Sequence, residues 1–522
     1  MYTLGDIPRC GALLFPDNIA VVFEENRYTY KEFNERINRF ANFLIKSGCK
    51  KGDGLAVMAD NCAKYLEVYF AAAKIGVCVT PINVRLGNDE IVFIVNDSET
   101  TFFVAGDGYE EKVNKLKSHF HFTNIKTWVT LDNPLSNFLD YEKLLEISSS
   151  TEPDIDKCDV QEDDLAILMY TGGTTGLPKG VMMSHRSAML SGISSALAFG
   201  FRDDDSTCFV LPIFHVSWWP ILAILLVGGK VCINRKPNLD MIFKLIEDEK
   251  CTHMNLVPTI YGWMVDYPNV EKYDLSSLRL LSYAGSPFPV EVLKKCIKKF
   301  GNKFYQGYGA TETAGAPISG LASYDHHLDG PKSKYLASAG KPAPCARVKI
   351  VGENDQTLGP GEYGEICAKG KHIMLGYWKN PKLTAEVLKG GWYHTGDMGY
   401  IDEEGYLFMT DRKADMIISG GENVYPKEVE DIIYQHQAVK ECTVVSAPDA
   451  KWGEVVQAVV VLRPGMQATE QEIIEHCKKS LAGYKCPKAV AFWNDIPKTI
   501  IGKIVKKDVK KKFWEGKDRM IS

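Results

Sequence analysis

The sequence lacks the features that mark a Cys/His metal cluster, a disulfide framework or a general nucleic-acid-binding protein. Its 522 residues include 14 cysteines, yet there is no Cys-x-x-Cys pair and no Cys/His cluster with metal-ligand spacing. The cysteines are scattered through mostly apolar segments, which indicates reduced core thiols in a cytoplasmic protein. There is no excess of positive charge either. The net charge of -5 at pH 7 argues against a general nucleic-acid-binding protein.

Long hydrophobic runs are also missing. The opening stretch MYTLGDIPRC has neither the basic start nor the apolar core of a signal peptide. The most apolar segment, Val216 to Gly229, is too short to span a bilayer and contains Pro220. We therefore expect a cytoplasmic protein with no integral membrane segment, and we leave peripheral contact with a membrane surface open.

What the sequence does contain is an alternating α/β pattern without internal repeats. Its 45% hydrophobic and 24% charged residues are typical of a globular protein, and its length implies more than one domain. Thr29 and Glu32 form a capping-box pattern that starts a predicted helix, and Gly48 ends it. Strand-like runs alternate with such helices, which predicts an α/β fold with doubly wound, mostly parallel sheets.

The pattern changes after about Gly390. Apolar runs and tight turns then alternate as in hairpins, and Pro426 opens a helical segment. Two strand-like runs, another helical segment and a lysine-rich tail follow. We expect a large N-terminal domain over residues 1–411 and a small α+β domain over residues 412–522.

Three strand-like runs end in short loops rich in small and hydroxyl-bearing residues. The runs are Leu165 to Tyr170, Leu278 to Tyr283 and Lys303 to Gly309. Ligands in open α/β sheets bind at the carboxyl ends of strands, so we expect the three loops to share one site. After the first loop we expect the same strand–loop–helix unit, with its helix beginning near Ser184.

The first loop, YTGGTTGLPKG over residues 170–180, has the composition of an anion-binding loop. Glycine permits the dihedrals that turn several N–H groups toward one anion, and the threonines add hydroxyl donors. Lys179 adds a positive charge. A Walker A loop is excluded, because Leu177 and Pro178 precede this lysine where that motif requires glycine directly before it. Composition alone leaves both a phosphate site and a plain turn open.

The same loop resembles the signature of the adenylate-forming superfamily, which includes acyl-CoA synthetases, peptide-synthetase adenylation domains and beetle luciferases. Further motifs of that superfamily follow in its order: PIFHV, YAGSP, GYGATE, WYHTGDMG, DRKADMIISGGENVYP and PKTIIGK. The resemblance covers essentially the whole chain. It implies an AMP-forming acid–CoA ligase that uses ATP to make an acyl adenylate and then an acyl-CoA thioester.

The resemblance also implies a nucleotide site with magnesium. Adenine would stack on Tyr308, and the ribose hydroxyls would bind Asp397 and Arg412. Mg²⁺ would bind Glu312 and Thr171. The implied nucleotide-binding residues are Thr171, Gly172, Gly173, Thr174, Thr175, Gly176, Lys179, Gly285, Ser286, Pro287, Gly307, Tyr308, Gly309, Thr311, Asp397, Arg412 and Lys503.

Three residues receive roles in the reaction itself from the same resemblance. Lys503 would bridge the carboxylate and the α-phosphate, Thr311 would lie against that phosphate, and His215 would lie beside the reacting carboxylate. The small domain would then rotate, which makes it a mobile domain. Rotation would remove Lys503 and bring in the residues that line the passage for coenzyme A, which are Ser419, Gly420 and Gly421.

The segment after His215 narrows the choice of acid. No charged side chain occurs from Val216 to Val227, which disfavours a dicarboxylate or an amino acid bound by this segment. Medium- or long-chain fatty acids are therefore the first expectation, and aryl or alicyclic acids the second. The candidate acyl-pocket residues are His215, Trp218, Trp219, Gly309, Ala310 and Ala314, and the two tryptophans also fit an apolar core.

Other functions share the adenylation half of this reaction. Acyl transfer to a carrier-protein thiol is one, although the sequence contains no carrier domain and coenzyme A is the simpler acceptor. Luciferase-like oxidation is a second. Non-catalytic nucleotide binding is a third, and the joint presence of Lys503, Glu312 and Asp397 argues against it.

The expected partners are ATP, coenzyme A and a small carboxylic acid, without nucleic acid, and a homodimer stays open. Two departures from the superfamily pattern bear on the mechanism. Gly172 replaces a common hydroxyl residue in the phosphate loop, and Ala414 replaces a common aspartate or lysine at the domain pivot.

Overall fold

Strands and helices alternate along the chain in the computed structural model. The structure describes residues 3–106, 108–133, 135–171, 178–412, 415–419, 422–449, 452–499 and 502–515, with the backbone alone at 155, 411, 412 and 423. The strands are β1 (Ile19–Phe23), β2 (Asn26–Thr29), β3 (Gly54–Met58), β4 (Cys78–Pro81), β5 (Thr100–Ala105), β6 (Thr127–Thr130), β7 (Leu139–Asp140), β8 (Leu165–Thr171), β9 (Lys179–Ser184), β10 (Ser206–Phe209), β11 (Lys230–Ile233), β12 (His253–Leu256), β13 (Leu280–Tyr283), β14 (Phe304–Tyr308), β15 (Ser319–Leu321), β16 (Lys341–Pro342), β17 (Arg347–Val351), β18 (Gly364–Lys369), β19 (Gly376–Tyr377), β20 (Tyr393–Ile401), β21 (Leu407–Arg412), β22 (Ile417–Ser419), β23 (Glu422–Val424), β24 (Val439–Asp449), β25 (Gly453–Leu462) and β26 (Ala489–Phe492).

The helices lie mostly between these strands. They are α1 (Asp6–Leu14), α2 (Tyr30–Lys46), α3 (Ala63–Lys74), α4 (Asn88–Asp97), α5 (Glu110–His119), α6 (Tyr141–Glu146), α7 (Ile155–Cys158), α8 (His185–Phe199), α9 (Trp219–Leu226), α10 (Leu239–Glu249), α11 (Pro258–Val265), α12 (Val290–Phe300), α13 (Pro381–Val387), α14 (Pro426–Ile433), α15 (Glu470–Lys478) and α16 (Lys506–Trp514). None of the helices in the described part of the chain has the length and apolar character needed to cross a membrane.

Two large sheets form the N-terminal part of the fold. The nine-stranded sheet has the order β16-β15-β14-β13-β12-β10-β11-β1-β2, and its six inner strands from β14 to β1 pair in parallel. The eight-stranded sheet has the order β19-β9-β8-β4-β3-β5-β6-β7, and its strands from β8 to β7 are also parallel. The predicted α/β class with mostly parallel sheets is confirmed.

Two smaller sheets follow. The four-stranded sheet β17-β18-β20-β21 is antiparallel and contains the hairpin predicted after Gly390. The five-stranded sheet has the order β23-β22-β25-β24, with β26 parallel to β25. With α14, α15 and α16 it forms the α+β C-terminal unit, residues 415–515 as described.

Helix α2 shows how local sequence sets an element in this fold. The Thr29 hydroxyl accepts the Glu32 amide at 3.2 Å, and the Glu32 carboxylate accepts the Thr29 amide at 2.9 Å. This is the predicted capping box, and such a cap is worth about 1 kcal/mol. Phe33 and Ile37 are fully buried on the inner face, and Gly48 follows the helix in a left-handed conformation.

The cysteines agree with the prediction of reduced core thiols. All 14 are free, and most of them are buried. Burial raises the pKa of Cys62 and of Cys78 to about 12, so these thiols stay protonated at neutral pH.

One prediction about the first loop was wrong. Strand β9 lies between the loop and helix α8, so the loop closes a β8–β9 hairpin rather than a strand–loop–helix unit. Helix α8 does begin at the predicted place, capped by Ser184. The three loop-bearing strands also belong to different sheets, because β8 lies in the eight-stranded sheet and β13 and β14 in the nine-stranded sheet.

Candidate active site

The GYGATE segment and the HTGD segment meet through a direct hydrogen bond. Tyr308 is the last residue of β14, and its hydroxyl donates to Asp397 Oδ2 at 2.6 Å. This contact joins the nine-stranded sheet to the four-stranded sheet. The two side chains predicted to bind adenine and ribose therefore lie side by side.

A bulge in β20 presents Asp397. Cys367 of β18 pairs with His394 and Glu365 pairs with Met398, so Thr395, Gly396 and Asp397 together oppose a single residue. Gly396 has a φ of +73°, a conformation that favours glycine. Its amide donates to Glu365 Oε1 at 3.0 Å, and the Asp397 amide donates to the Thr395 hydroxyl at 3.0 Å. Hydrogen bonds from the amides of Gly396 and Asp397 thus hold the bulge that carries the carboxylate.

Tyr377 connects the predicted magnesium ligand to the predicted phosphate loop. Its hydroxyl donates to Glu312 Oε1 at 2.8 Å, while Lys179 Nζ lies 5.8 Å from its ring centroid. Burial and the neighbouring Glu312 raise the pKa of this tyrosine, so its hydroxyl stays protonated and donates to the carboxylate. Sequence reasoning missed Tyr377. Its only local signal is the short motif GYW shortly before Asn-Pro. Nothing in that motif indicates that β19 pairs with β9.

The strand register fixes both ends of the first loop. Thr171 of β8 pairs with Lys179 of β9, and Tyr377 of β19 pairs with Val181 on the other side of β9. Trp378 closes this arrangement, because its backbone amide donates to the carbonyl of Gly180 at 2.7 Å. Lys179 therefore belongs to a strand that pairs with β8 on one side and β19 on the other, rather than to a free loop.

The turn after Tyr308 packs against the segment that follows His215. A Cβ at Gly315 would lie 2.6 Å from Trp219 Cδ1 and 2.7 Å from the carbonyl oxygen of Val216. A Cβ at Gly309 would overlap the carbonyl oxygen of Ala316. Gly315 therefore permits the close approach to the segment after His215, and Gly309 permits the tight turn itself. Thr311 and Glu312 lie in the short 3₁₀ turn between them.

His215 is neutral at physiological pH. Burial, followed by the positive charge of Lys503, lowers its pKa to about 4. Its Nδ1 accepts the backbone amide of Ser217 at 3.3 Å, so the proton of the neutral ring is on Nε2. His215 can therefore donate one hydrogen bond without adding a charge.

The turn that carries Lys503 docks on the start of helix α11. The Thr259 hydroxyl donates to the carbonyl of Gly502 at 2.9 Å. A Cβ at Gly502 would lie 3.5 Å from Val257, and a Cβ at Gly285 would lie 3.8 Å from the same side chain. Val257 therefore links the lysine turn to the predicted adenine-binding segment. Ser286 and Pro287 of that segment line one cleft with Lys503.

The remaining predicted residues divide into those the structure describes and those it does not. Trp218 and Trp219 are 2% and 4% exposed, and Trp218 stacks on Tyr69 with ring centroids 4.7 Å apart. Ser419 is buried in β22, where its backbone pairs with Glu422 and Gly453. The backbone of Arg412 pairs with Asp397. The predictions about the side chain of Arg412 lie outside the described residues. So do those about eight whole residues: Gly172, Gly173, Thr174, Thr175, Gly176, Ala414, Gly420 and Gly421.

Comparison with known proteins agrees with this geometry. The AMP-binding enzyme profile matches residues 12–378, and the profile of the AMP-binding enzyme C-terminal domain matches residues 428–503. The chain belongs to the AMP-binding enzyme family. The predicted membership of the adenylate-forming superfamily is confirmed.

Relatives within the AMP-binding enzymes are similar over almost their whole length. A feruloyl-CoA synthase of Amycolatopsis sp. is 34% identical over 98% of this chain and 99% of its own. A long-chain-fatty-acid–CoA ligase of Bacillus subtilis (strain 168) is 33% identical over 97% and 93%. The solved o-succinylbenzoate CoA synthetase of Bacillus subtilis, in complex with the acyl-adenylate intermediate OSB-AMP, is 30% identical over 97% of both chains, with a TM-score of 0.83. These names bear out the predicted acid–CoA ligase class.

Proposed function

We propose that this AMP-binding enzyme joins an apolar carboxylic acid to coenzyme A, using ATP to form an acyl adenylate first. The observation that carries the proposal is that side chains from separate segments of the chain contact or act on one another in pairs. Tyr308 contacts Asp397, Tyr377 joins Glu312 to Lys179, and the charge of Lys503 acts on His215. Adenylation requires alignment and charge stabilisation rather than a protein nucleophile, and these side chains supply both.

Each group has a distinct task in this proposal. Asp397 accepts hydroxyls of the ribose, and Tyr308 packs against the adenine beside the Gly285–Pro287 segment. Lys179 offsets the charge of the departing pyrophosphate. Lys503 lets two anions approach, and the neutral His215 donates from Nε2 to the carboxylate or the carbonyl that replaces it.

Magnesium fits Glu312 by the chemistry of its donors. No group of three or more His, Cys, Asp or Glu side chains in the described ranges is placed to hold a metal ion. Mg²⁺ does not need one, because it is usually bound by one or two carboxylates together with substrate phosphates and water. Glu312 would hold it, with Thr171 as the second predicted ligand. When bound, the ion would offset charge on the phosphates.

We place the domain boundary after residue 411, and the sheets support a division close to this point. Strand β21 ends at Arg412 in the four-stranded sheet, and β22 begins at Ile417 in the five-stranded sheet. We take the C-terminal unit to be the mobile domain that carries Lys503 during adenylation. Its rotation would bring Ser419, with Gly420 and Gly421, to the passage of coenzyme A.

The proposed acid is apolar. The segment after His215 is buried and carries no charge, and helix α9 is buried along almost all of its length. A medium- or long-chain fatty acid is the leading substrate class. A pocket of this kind discriminates weakly, since one methylene is worth only about 1–3 kcal/mol.

An aryl acid is the second candidate, and one contact favours it. Gly315 packs against Trp219 so closely that a methyl group would not fit between them. A flat, short acid would not require this tryptophan to move, whereas a long chain directed at it would. Aryl acids therefore stay in the proposal.

A panel of acids would test the function directly. The purified enzyme is assayed with fatty acids of increasing length, cinnamic and benzoic acids, a dicarboxylate and an amino acid, each with ATP and Mg²⁺. Pyrophosphate release without coenzyme A reports adenylation, and AMP formation with coenzyme A reports the complete ligation. We expect both signals from apolar acids. Lack of acid-dependent pyrophosphate release across the panel would contradict the proposal.

A further inference from the structure

Helix α11 touches the C-terminal unit at both of its ends. At its start, the Thr259 hydroxyl donates to the carbonyl oxygen of Gly502 at 2.9 Å. At its end, the carboxylate of Asp266, the C-cap residue, lies 3.9 Å from Arg463 Nη1. The same helix lines the cleft that contains Lys503.

The two contacts differ in quality. The Thr259 bond is short, and the Gly502 residue that accepts it is buried. Asp266 is 61% exposed, and its distance from Arg463 is close to the limit for an ion pair. Exposed pairs of this kind contribute little to stability. The hydroxyl–carbonyl bond is therefore the contact with a defined geometry.

The turn that receives this bond is closed by its own hydrogen bonds. The Lys503 amide donates to the Thr499 hydroxyl at 3.1 Å, and the Thr499 amide donates to the Lys503 carbonyl at 2.7 Å. Lys498 and Ile504 pair across its base. Holding Gly502 at one point therefore fixes where the Lys503 backbone stands.

Gly502 cannot easily be replaced in this contact. Its φ is +82°, and a Cβ would lie 3.3 Å from Thr259 Cβ. The positive φ favours glycine, and a side chain at this position would also require Thr259 to shift. The backbone of the lysine turn thus rests directly on Thr259.

We propose that Thr259 is a positioning residue for adenylation. Its hydroxyl holds the Lys503 turn in the arrangement that forms the acyl adenylate, and it takes no part in thioester formation. The proposal rests on the proposed roles of Lys503 and of the rotating C-terminal unit. Thr259 acts through the turn and needs no contact with the substrates.

The test measures the two half-reactions of full-length Thr259→Val separately. Valine keeps the shape of threonine and removes the donor, and Thr259→Ser is the matched control that keeps a hydroxyl. Losing one neutral hydrogen bond corresponds to about a five-fold effect. We expect about five-fold slower single-turnover adenylation in Thr259→Val, near-normal adenylation in Thr259→Ser, and unchanged thioester formation from supplied acyl adenylate and coenzyme A.

A double-mutant cycle with Lys503→Ala tests whether Thr259 affects adenylation through Lys503. If Thr259 acts through the lysine, Thr259→Val causes no further loss of adenylation in the Lys503→Ala background. An additional five-fold loss in that background would overturn the proposal, as would an equal loss in both half-reactions or no loss of adenylation in Thr259→Val alone.

The proposed function has a separate readout in the same experiment. If Lys503→Ala alone adenylates at the normal rate, the proposed role of the lysine fails and the Thr259 proposal fails with it. If Lys503→Ala is impaired and Thr259→Val is normal, only the Thr259 proposal fails.

Thermal unfolding of each variant is measured alongside, and we expect Thr259→Val to unfold within about 2 °C of the parent protein. A large fall for Thr259→Val but not for Thr259→Ser, with both half-reactions slowed, would point to a structural role and overturn the proposal.

Discussion

The N-terminal part and the C-terminal unit supply the candidate site in opposite ways. The N-terminal part contributes side chains tied to one another, as in the 2.6 Å bond from Tyr308 to Asp397 and the 2.8 Å bond from Tyr377 to Glu312. The C-terminal unit contributes Lys503 on a turn whose backbone touches the N-terminal part at Thr259. In the described part of the chain, the groups of the first region bond to one another, whereas the second region contacts helix α11 of the first through the Thr259–Gly502 hydrogen bond and the Asp266–Arg463 pair.

The difference indicates how the two half-reactions can share a cleft. Groups that bind the nucleotide must keep their geometry throughout, because preorganised groups stabilise charge without the cost of reorientation. A group needed in one half-reaction only can stand on a part that moves. The contrast predicts that substituting the C-terminal lysine slows adenylation strongly and spares thioester formation. Substitutions in the N-terminal contacts should slow both half-reactions, and by less.

Removal of the lysine should have the largest effect. We expect Lys503→Ala to slow adenylation by about 10²–10³, as for the loss of one group that stabilises charge in the transition state. Thioester formation from supplied acyl adenylate should be largely unchanged. Rapid-quench measurement of each half-reaction checks this, with Lys511→Ala, an exposed lysine of α16, as the control. Equal losses in both half-reactions would contradict the proposal that the C-terminal lysine acts in adenylation alone.

The proposed contact between Asp397 and the ribose comes next. We expect Asp397→Asn to raise the KM for ATP by about ten-fold or more, since hydrogen bonds to a charged group are worth about 1.5–3 kcal/mol. Both half-reactions should suffer, because AMP remains bound until the thioester forms. Tyr308→Phe is the companion variant. It keeps the ring and removes the bond to Asp397, so a loss well below that of Asp397→Asn is expected.

Tyr377 should give a smaller effect that depends on magnesium. Tyr377→Phe removes the hydroxyl that orients Glu312 and keeps the ring beside Lys179. We expect a loss of about three- to ten-fold at low Mg²⁺ that is partly recovered at high Mg²⁺. Binding of Mn²⁺ with ATP, followed by electron paramagnetic resonance, should weaken in parallel. A loss independent of the metal concentration would be evidence against this role.

Acid should affect the stability of the N-terminal part more than that of the C-terminal unit. Burial lowers the pKa of five N-terminal histidines, to about 3 for His253 and to about 4 for His185, His215, His326 and His372, and it also lowers the pKa of His436 in the C-terminal unit. A histidine with a lowered pKa favours the folded state while it is neutral. This contribution is therefore complete above pH 6.5 and is lost as the pH falls toward 4.

Hydrogen exchange at pH 7 and pH 5, corrected for intrinsic rates, separates the two regions. We expect protection of β12 and β13 to fall more than protection of β24 and β25. His372→Met offers a control, because it removes one titrating ring from a buried position and should reduce the loss of protection. Equal losses in both regions would count against burial as the cause.

Features with local signals could be predicted from the sequence. The capping box of α2, the hairpin after Gly390 and the start of α8 near Ser184 each depend on a few neighbouring residues, and all three are present. The roles of the loop residues rested on matched motifs. Those on Gly172 to Gly176 and on Gly420 and Gly421 stay predictions, because they lie outside the described residues.

Features that depend on pairing between distant segments could not be predicted. Strand β9 was missed because the glycine-rich loop before it does not resemble a short hairpin turn. Tyr377 was missed because its contacts with Glu312 and Lys179 arise only when β19 pairs with β9. The division of the loop-bearing strands between two sheets also has no local signature, since periodicity reports burial and not the choice of neighbour.

The pairing of Thr171 with Lys179 has a consequence for evolution and for engineering. Because the ladder register sets where the backbone of Lys179 stands, the stretch between these residues can change length or sequence while the two paired residues stay in place. If the loop binds phosphate as proposed, a substitution such as the glycine at position 172 would change how tightly it holds the anion and leave the strand register unchanged. The paired strands β8 and β9 would then accept loops grafted from related enzymes.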